Sequence, residues 1–283
     1  MDARDRLLTG LPIVDERIAL AGVSSAVLTG GAGPPMVLLH GAGEFAAVWL
    51  RVIPALARSH RVIVPDLPGH GATPATGDVL GWLDALVERT CAVAPVVVGH
   101  GLGGALAARL AGERPDRFAA LVLTSTVGLG DFAPAPSFAA ALRQFTEHPD
   151  ERNRDDLFAQ CFADLDRLRE RMGERWAVLA DYALEMARRS DRRDLAEVMM
   201  QRFVLTAIPA ADLERIGIPT TLIWGRYDLQ VLLRTAQTAG ARYGWPLHVI
   251  DNAGDDPAME QPDAFLDALY AALEGIGRQE ALR

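Results

Sequence analysis

The run Val96-Val97-Val98-Gly99-His100-Gly101-Leu102-Gly103-Gly104-Ala105 is the segment of this chain best suited to present a reacting group. Consecutive valines suit a buried strand, glycines permit a sharp turn, and the small residues that follow can start a helix packed close to the strand. A side chain at such a turn would stand clear of the strand, at a helix N-terminus. The residue there is Gly101, which has none. Three carboxylates, Asp228, Asp255 and Asp256, fall in two later loops, and a positioned carboxyl group can act as general acid or base. Of the histidines, His100 flanks the turn and His248 lies inside an apolar run, and both read as structural. His60 and His148 sit in linker or helix-end contexts and carry no signal.

Composition narrows the chemistry. All 28 cationic side chains are arginines, so no lysine is available for Schiff-base or pyridoxal chemistry. Cys91 and Cys161 are far apart and read as free thiols suited to a reducing cytoplasm. There is no phosphate loop and no metal-ligand spacing, so no metal or nucleotide cofactor is expected. A net charge of -9 argues against a nucleic-acid partner. No apolar run is long enough to span a membrane. Met1 to Leu11 lacks the apolar core of a signal peptide, which again fits the cytoplasm.

The elements that must hold these loops alternate. Ser24–Thr29, Met36–Leu39, Arg61–Val64, Pro95–Val98 and Ala120–Thr124 read as strands. Trp49–Ala57, Val79–Val93 and Gly103–Gly112 read as helices. Short β-branched runs of this kind suit a parallel sheet covered on both faces, hence a doubly wound α/β domain. From about Val127 the pattern is helical only. Alternation resumes with strands at Pro219–Trp224 and Leu247–Ile250 and helices at Leu229–Tyr243 and Pro262–Leu273. The division is a core over residues 1–126, a helical insertion over 127–205 after the sixth strand, and the rest of the core over 206–283. Arg278 to Arg283 reads as a frayed tail.

The strand–turn–helix at Gly101 resembles the nucleophile elbow of the α/β-hydrolase superfamily. His40-Gly41-Ala42-Gly43, with Trp49 after it, resembles that family's oxyanion-hole loop. Asp66-Leu67-Pro68-Gly69-His70-Gly71 resembles the turn after its fourth strand. Trp224-Gly225-Arg226-Tyr227-Asp228 resembles the segment that presents the triad acid, and Ala253 to Pro262 resembles the histidine loop. These segments span nearly the whole chain in the family's order, and the insertion corresponds to its cap. The resemblance implies a degenerate triad. Gly101 stands in the nucleophile's place and Asp255 in the histidine's, and only the acid, Asp228, is kept. Natural divergence accounts for two coordinated losses more simply than an engineered change does.

Acyl transfer on this fold needs a nucleophile, a base and an orienting acid, and two of the three are gone. On the family's layout Asp255 lies beside Asp228, where neither can ionise freely, so one carboxyl pKa should rise. Backbone donors survive the loss of the serine: Leu102, and Ala42 or Gly43, would still polarise a substrate oxygen. Gly101, His40, His100, Glu44 and Trp49 are the candidate pocket residues. The cap supplies Phe132, Phe138, Phe145, Phe158, Phe162, Trp176, Tyr182 and Met186, most for its own core and a minority for an apolar cleft. The favoured function is a cofactor-free enzyme without a covalent intermediate. It would catalyse cyclisation, elimination, isomerisation or decarboxylation of a small hydrophobic carbonyl compound. The resemblance implies such work for members with altered triads, in secondary metabolism. The alternatives are a pseudoenzyme that binds a ligand or serves as a scaffold, and a weak hydrolase. No membrane partner is expected, and a homodimer is left open.

Overall fold

The computed structural model describes residues 2–189 and 197–280, with side chains to residue 275. Its eight strands are β1 (Val14–Leu20), β2 (Val23–Gly30), β3 (Pro35–Leu39), β4 (Arg61–Pro65), β5 (Val96–His100), β6 (Ala120–Thr124), β7 (Thr220–Gly225) and β8 (Leu247–Ile250). They form one sheet in the order β1-β2-β4-β3-β5-β6-β7-β8. β1 and β2 run antiparallel, β2 is antiparallel to β4, and the remaining pairs are parallel. This is the doubly wound sheet that the alternation predicts, with one addition. β1 escapes the sequence reading because its polar, mostly exposed residues (Val-Asp-Glu-Arg-Ile-Ala-Leu) carry no buried-strand signature. Charged side chains are how an edge strand avoids pairing with another molecule.

The helices are α1 (Ala3–Leu8), α2 (Ile53–Leu56), α3 (Val79–Thr90), α4 (Gly101–Glu113), α5 (Pro136–Glu147), α6 (Glu151–Cys161), α7 (Leu165–Met172), α8 (Glu174–Arg188), α9 (Ala210–Glu214), α10 (Leu233–Tyr243), α11 (Pro257–Glu260) and α12 (Pro262–Glu280). A short π-helical turn occupies Met200–Val204. The helix expected over Trp49–Ala57 is split: a 3-10 turn covers Ala46–Arg51, and α2 follows with Pro54 in its first turn. α12 keeps Arg278 to Glu280 helical, against the frayed-tail expectation, and 281–283 lie outside the described residues.

Two apolar layers sandwich the sheet. Trp82, Leu102, Leu106 and Leu222 fill one, while Ile53, Trp49, Phe265 and Leu38 fill the other. Helices α5–α8 form the insertion between β6 and β7. Residues 190–196 of the expected cap lie outside the described residues. α8 rests on α1 and on the segment after β3, with Tyr182 edge-on to Phe45 at 4.6 Å between ring centres.

Candidate active site

β5 ends at His100, and α4 starts at Gly101 with φ +50°. That backbone region admits glycine without strain. The turn is tight enough that a Cβ on Gly99 would lie 2.5 Å from the Gly104 Cα, so the helix packs directly on the strand. At Gly101 itself, a Cβ would lie 3.3 Å from the Gly41 Cα and 3.8 Å from Gln230 Nε2. The loop after β3 is tied to the elbow by the Gly103 N–H, which donates to the His40 carbonyl at 3.0 Å. Gly101 and Leu102 open α4, so their N–H groups have no partner within the helix. Ala42 and Gly43 lie in the loop facing that turn.

Asp228 sits in the turn after β7 and is 3% exposed. Its Oδ1 accepts from the Gln230 and Val231 N–H groups, both at 2.8 Å. Its Oδ2 is buried without a hydrogen bond. Burial first, and the charge of Asp255 second, hold the Asp228 carboxyl well above the usual range. The Val231 and Gln230 N–H groups and the nearby Ser125 hydroxyl oppose this without reversing it. Ser125, just beyond β6, carries a strained φ of +44° and is fully buried.

Asp255 is 5% exposed, in the loop after β8. Its N–H donates to the Cys161 carbonyl at 2.8 Å, so the cap seats directly on this loop. Asp228 is not the main influence on its carboxyl. His100 Nε2 lies 3.0 Å from the Asp255 backbone oxygen and 3.4 Å from its Oδ1. His100 Nδ1 faces Glu44 Oε2 at 3.0 Å. The same Glu44 oxygen accepts from the Gly41 N–H at 2.5 Å. Burial raises the Asp255 carboxyl and His100 pulls it back, with a net rise. Burial also opposes the charged His100, but Glu44 and Asp255 outweigh it and set the ring well above its ordinary value. Glu44 responds in kind: His100 overcomes burial and lowers its pKa.

The remaining candidates divide. Gly101, Glu44 and His100 come together around the elbow. His40 is completely buried and braces two loops: Nδ1 donates to the Gly41 carbonyl, and Nε2 accepts from the Leu67 N–H at 2.9 Å. That fixes a neutral tautomer, and burial lowers its pKa. Trp49 is almost fully buried and packs in the apolar layer against Phe265. The sequence reading of His100 as merely structural is revised by its two carboxylate-bearing neighbours. Ser125, Gln230 and Cys161 went unread. They reach the site only through the fold, and no local pattern marks them.

A void reaching Gln230 holds about 10 Å³, room for about one water. An open basin of about 420 Å³ lies on the cap, lined by Asp155, Asp156 and Asp166 beside Phe162 and Arg169. Phe158, Phe162 and Trp176 spend their rings on one another, at 5.5–5.8 Å between centres. Glu44, His100 and Asp255 could in principle ligate a cation, having donor atoms within 4.8 Å of one another. The two ring nitrogens face opposite acceptors, however, and a cation would have to break one of those hydrogen bonds. The donor set fits an ion pair better than a metal.

A family model described as "Alpha/beta hydrolase family" matches residues 36–268. The chain is 41% identical over 99 residues to pimeloyl-[acyl-carrier protein] methyl ester esterase of Aeromonas hydrophila subsp. hydrophila, 34% of this chain and 39% of that protein. It is 32% identical over 128 residues to 2-hydroxymuconate semialdehyde hydrolase of a Pseudomonas species, 42% of this chain and 45% of that protein. These matches therefore span less than half of either relative. Among solved structures, 2-hydroxy-6-oxo-6-phenylhexa-2,4-dienoate hydrolase from a Rhodococcus species superposes with a TM-score of 0.78 at 27% identity, covering 93% of this chain and 99% of that one. Among the described residues no helix is long and apolar enough to cross a membrane.

Proposed function

The chain belongs to the alpha/beta hydrolase family, and from that premise we propose that it is an enzyme that works without an acyl-enzyme. Its relatives are named as esterases and hydrolases. Here the elbow has no oxygen or sulfur to attack with, and the histidine loop has no imidazole at position 255. The observation that carries the reading is the pair of buried acids, Asp228 and Asp255, each with one side-chain oxygen free of hydrogen bonds. Burial outweighs the pull of His100 on Asp255 and holds both carboxyl groups above their usual range, and a neutral carboxylic acid in a dry site is a hydrogen-bond donor and general acid.

The substrate class follows from what remains. Backbone N–H groups of Leu102 and of Ala42 or Gly43 can polarise a carbonyl oxygen. A carboxyl group close by can then deliver a proton to the enolate that forms, or to its oxygen. Isomerisation, elimination, cyclisation and decarboxylation of a small hydrophobic carbonyl compound all pass through such a species. The names of two relatives, a semialdehyde hydrolase and a 6-oxo-dienoate hydrolase, also point to carbonyl compounds. We place Asp255 as the proton donor and Asp228 as the acid that fixes the site's charge. The test is deuterium incorporation at the central carbon of acetylacetone and of its phenyl analogue in D2O, followed by proton NMR. Exchange above buffer that Asp255→Asn abolishes supports the reading. Absence of exchange by the parent, together with tight binding of the same diketones, would favour a ligand-binding pseudoenzyme.

A further inference from the structure

The ring of His100 lies between two acceptors. Nε2 faces the backbone carbonyl of Asp255 at 3.0 Å, and a carbonyl oxygen can only accept, so Nε2 carries a hydrogen in the resting site. Nδ1 faces Glu44 Oε2, which already accepts from the Gly41 N–H. Glu44 and His100 stabilise each other's charge, lowering the carboxyl and raising the ring, so Nδ1 carries a hydrogen too. Both nitrogens protonated makes the ring an imidazolium. Asp255 Oδ1 lies 3.4 Å from the same Nε2 and has no hydrogen bond of its own. The row is open at one end only: the Glu44 side chain is 22% exposed, against 3% for His100 and 8% for Asp255.

We propose that Glu44 and His100 form the proton reserve of Asp255, an ion pair that replaces the lost triad as the site's source of protons. The inference rests on Asp255 being the donor in the function proposed above. In the step, the Asp255 O–H bond breaks and its proton bonds to the α-carbon of the substrate bound as its enol, which leaves a protonated carbonyl. The carboxylate left behind takes the Nε2 proton of His100. The ring, now neutral, keeps its Nδ1–H on Glu44. The protonated carbonyl then gives its O–H proton to Asp255, Asp255 returns the Nε2 proton to His100, and the site ends as it began. No redox partner is involved. Asp256 and His40 also feel the ring's charge, and Asp228 and Cys161 feel that of Asp255. In a low-dielectric interior this group is least costly with one ion pair and the remaining groups neutral.

The test is long-range proton–nitrogen NMR of uniformly labelled protein, with His100 assigned by His100→Gln. Two protonated ring nitrogens are expected in the parent at pH 7. Glu44→Gln should leave one, on Nε2, with the ring's midpoint lower by at least one unit, a tenfold change. Asp255→Asn should leave both, since its carbonyl remains. A neutral ring in the parent, or a ring indifferent to Glu44→Gln, overturns the proposal. So does a pair of shifts that appears only when zinc is added to chelator-treated protein, which would make the trio a metal site. Glu44→Gln should also slow diketone exchange at least tenfold and move its pH maximum to the acid side, while Glu44→Asp restores part of the rate. Unchanged exchange with an unchanged pH profile overturns the supply role. If the parent exchanges no diketone, the proposed function fails, and the ring spectra alone decide whether the ion pair stands.

Discussion

At the scale of residues, the site's behaviour turns on which groups hold protons. Asp255→Asn keeps the size of the side chain, the backbone carbonyl on His100 and the N–H on Cys161, but it cannot release a proton. Diketone exchange should therefore fall by about a hundred- to ten-thousand-fold, the usual worth of general acid–base help. Binding measured by calorimetry should change little. Intact turnover in this variant would exclude Asp255 as donor and leave only backbone amides and pocket shape. The absence of a nucleophile is tested separately. An alkyl fluorophosphonate should leave the intact mass of the protein unchanged, because Gly101 offers no hydroxyl and the Cys161 thiol is pushed well up by burial and by nearby carboxyl groups. A stoichiometric adduct near position 101 would sink the reading.

At the scale of elements, most of the frame was legible because its signals are local. Valine runs ending in glycine mark β5 and its elbow, and each site loop follows a strand whose apolar run is unmistakable. β1 was not legible because a charged edge strand has no apolar period. The closeness of the cap was missed because hydrogen bonds from Asp255 to Cys161 and from Ala163 to Glu260 join segments about a hundred residues apart. The pairing of Asp255 with His100 was missed for the same reason. The elbow can be refilled as a test of the layout. At Gly101 the new Cβ meets the Gly41 Cα at 3.3 Å in a backbone region that strains a serine. Gly101→Ser should therefore cost about 1–3 kcal/mol, read by urea unfolding. Alone it should hydrolyse p-nitrophenyl esters poorly, for want of a base. With Asp255→His added, the free Oδ2 of Asp228 gains an imidazole to orient, and hydrolysis should exceed the single variant by about a hundredfold or more. Equal rates in the two would show that another residue, with His100 the first suspect, serves as base.

At the scale of the molecule, the junction of cap and core is built from acids that fold in their neutral form. Glu260 bridges the two parts: its carboxylate accepts from Gly254 in the core loop and from Ala163 in the cap, at 2.5 and 2.7 Å. Burial still raises its pKa to about 8, and raises Asp256, which caps α11, to about 7. In the unfolded chain these groups return to about 4.3 and 3.9. Between those values and the folded ones, the native state binds more protons than the unfolded state. Stability must then fall as pH rises, from about pH 4 to about pH 8. His100 adds to the same trend. Its raised value contributes stability that is full below about pH 6.5, the ordinary histidine value, and is lost above it. Glu44 works the other way: its lowered pKa contributes stability above its ordinary value and loses it as pH falls. The balance places maximum stability on the acid side of neutral, although the protein carries a net charge of -9 at pH 7. Urea midpoints at pH 5, 7 and 8.5 should therefore decline in that order at constant slope. Glu260→Gln is neutral at every pH, so it should flatten the decline between 5 and 7 more than between 7 and 8.5, where Glu260 itself titrates in the folded protein. A midpoint that rises from pH 5 to pH 8.5 would show that these acids are ionised in the folded protein, and the neutral-acid account of the site would fall with them.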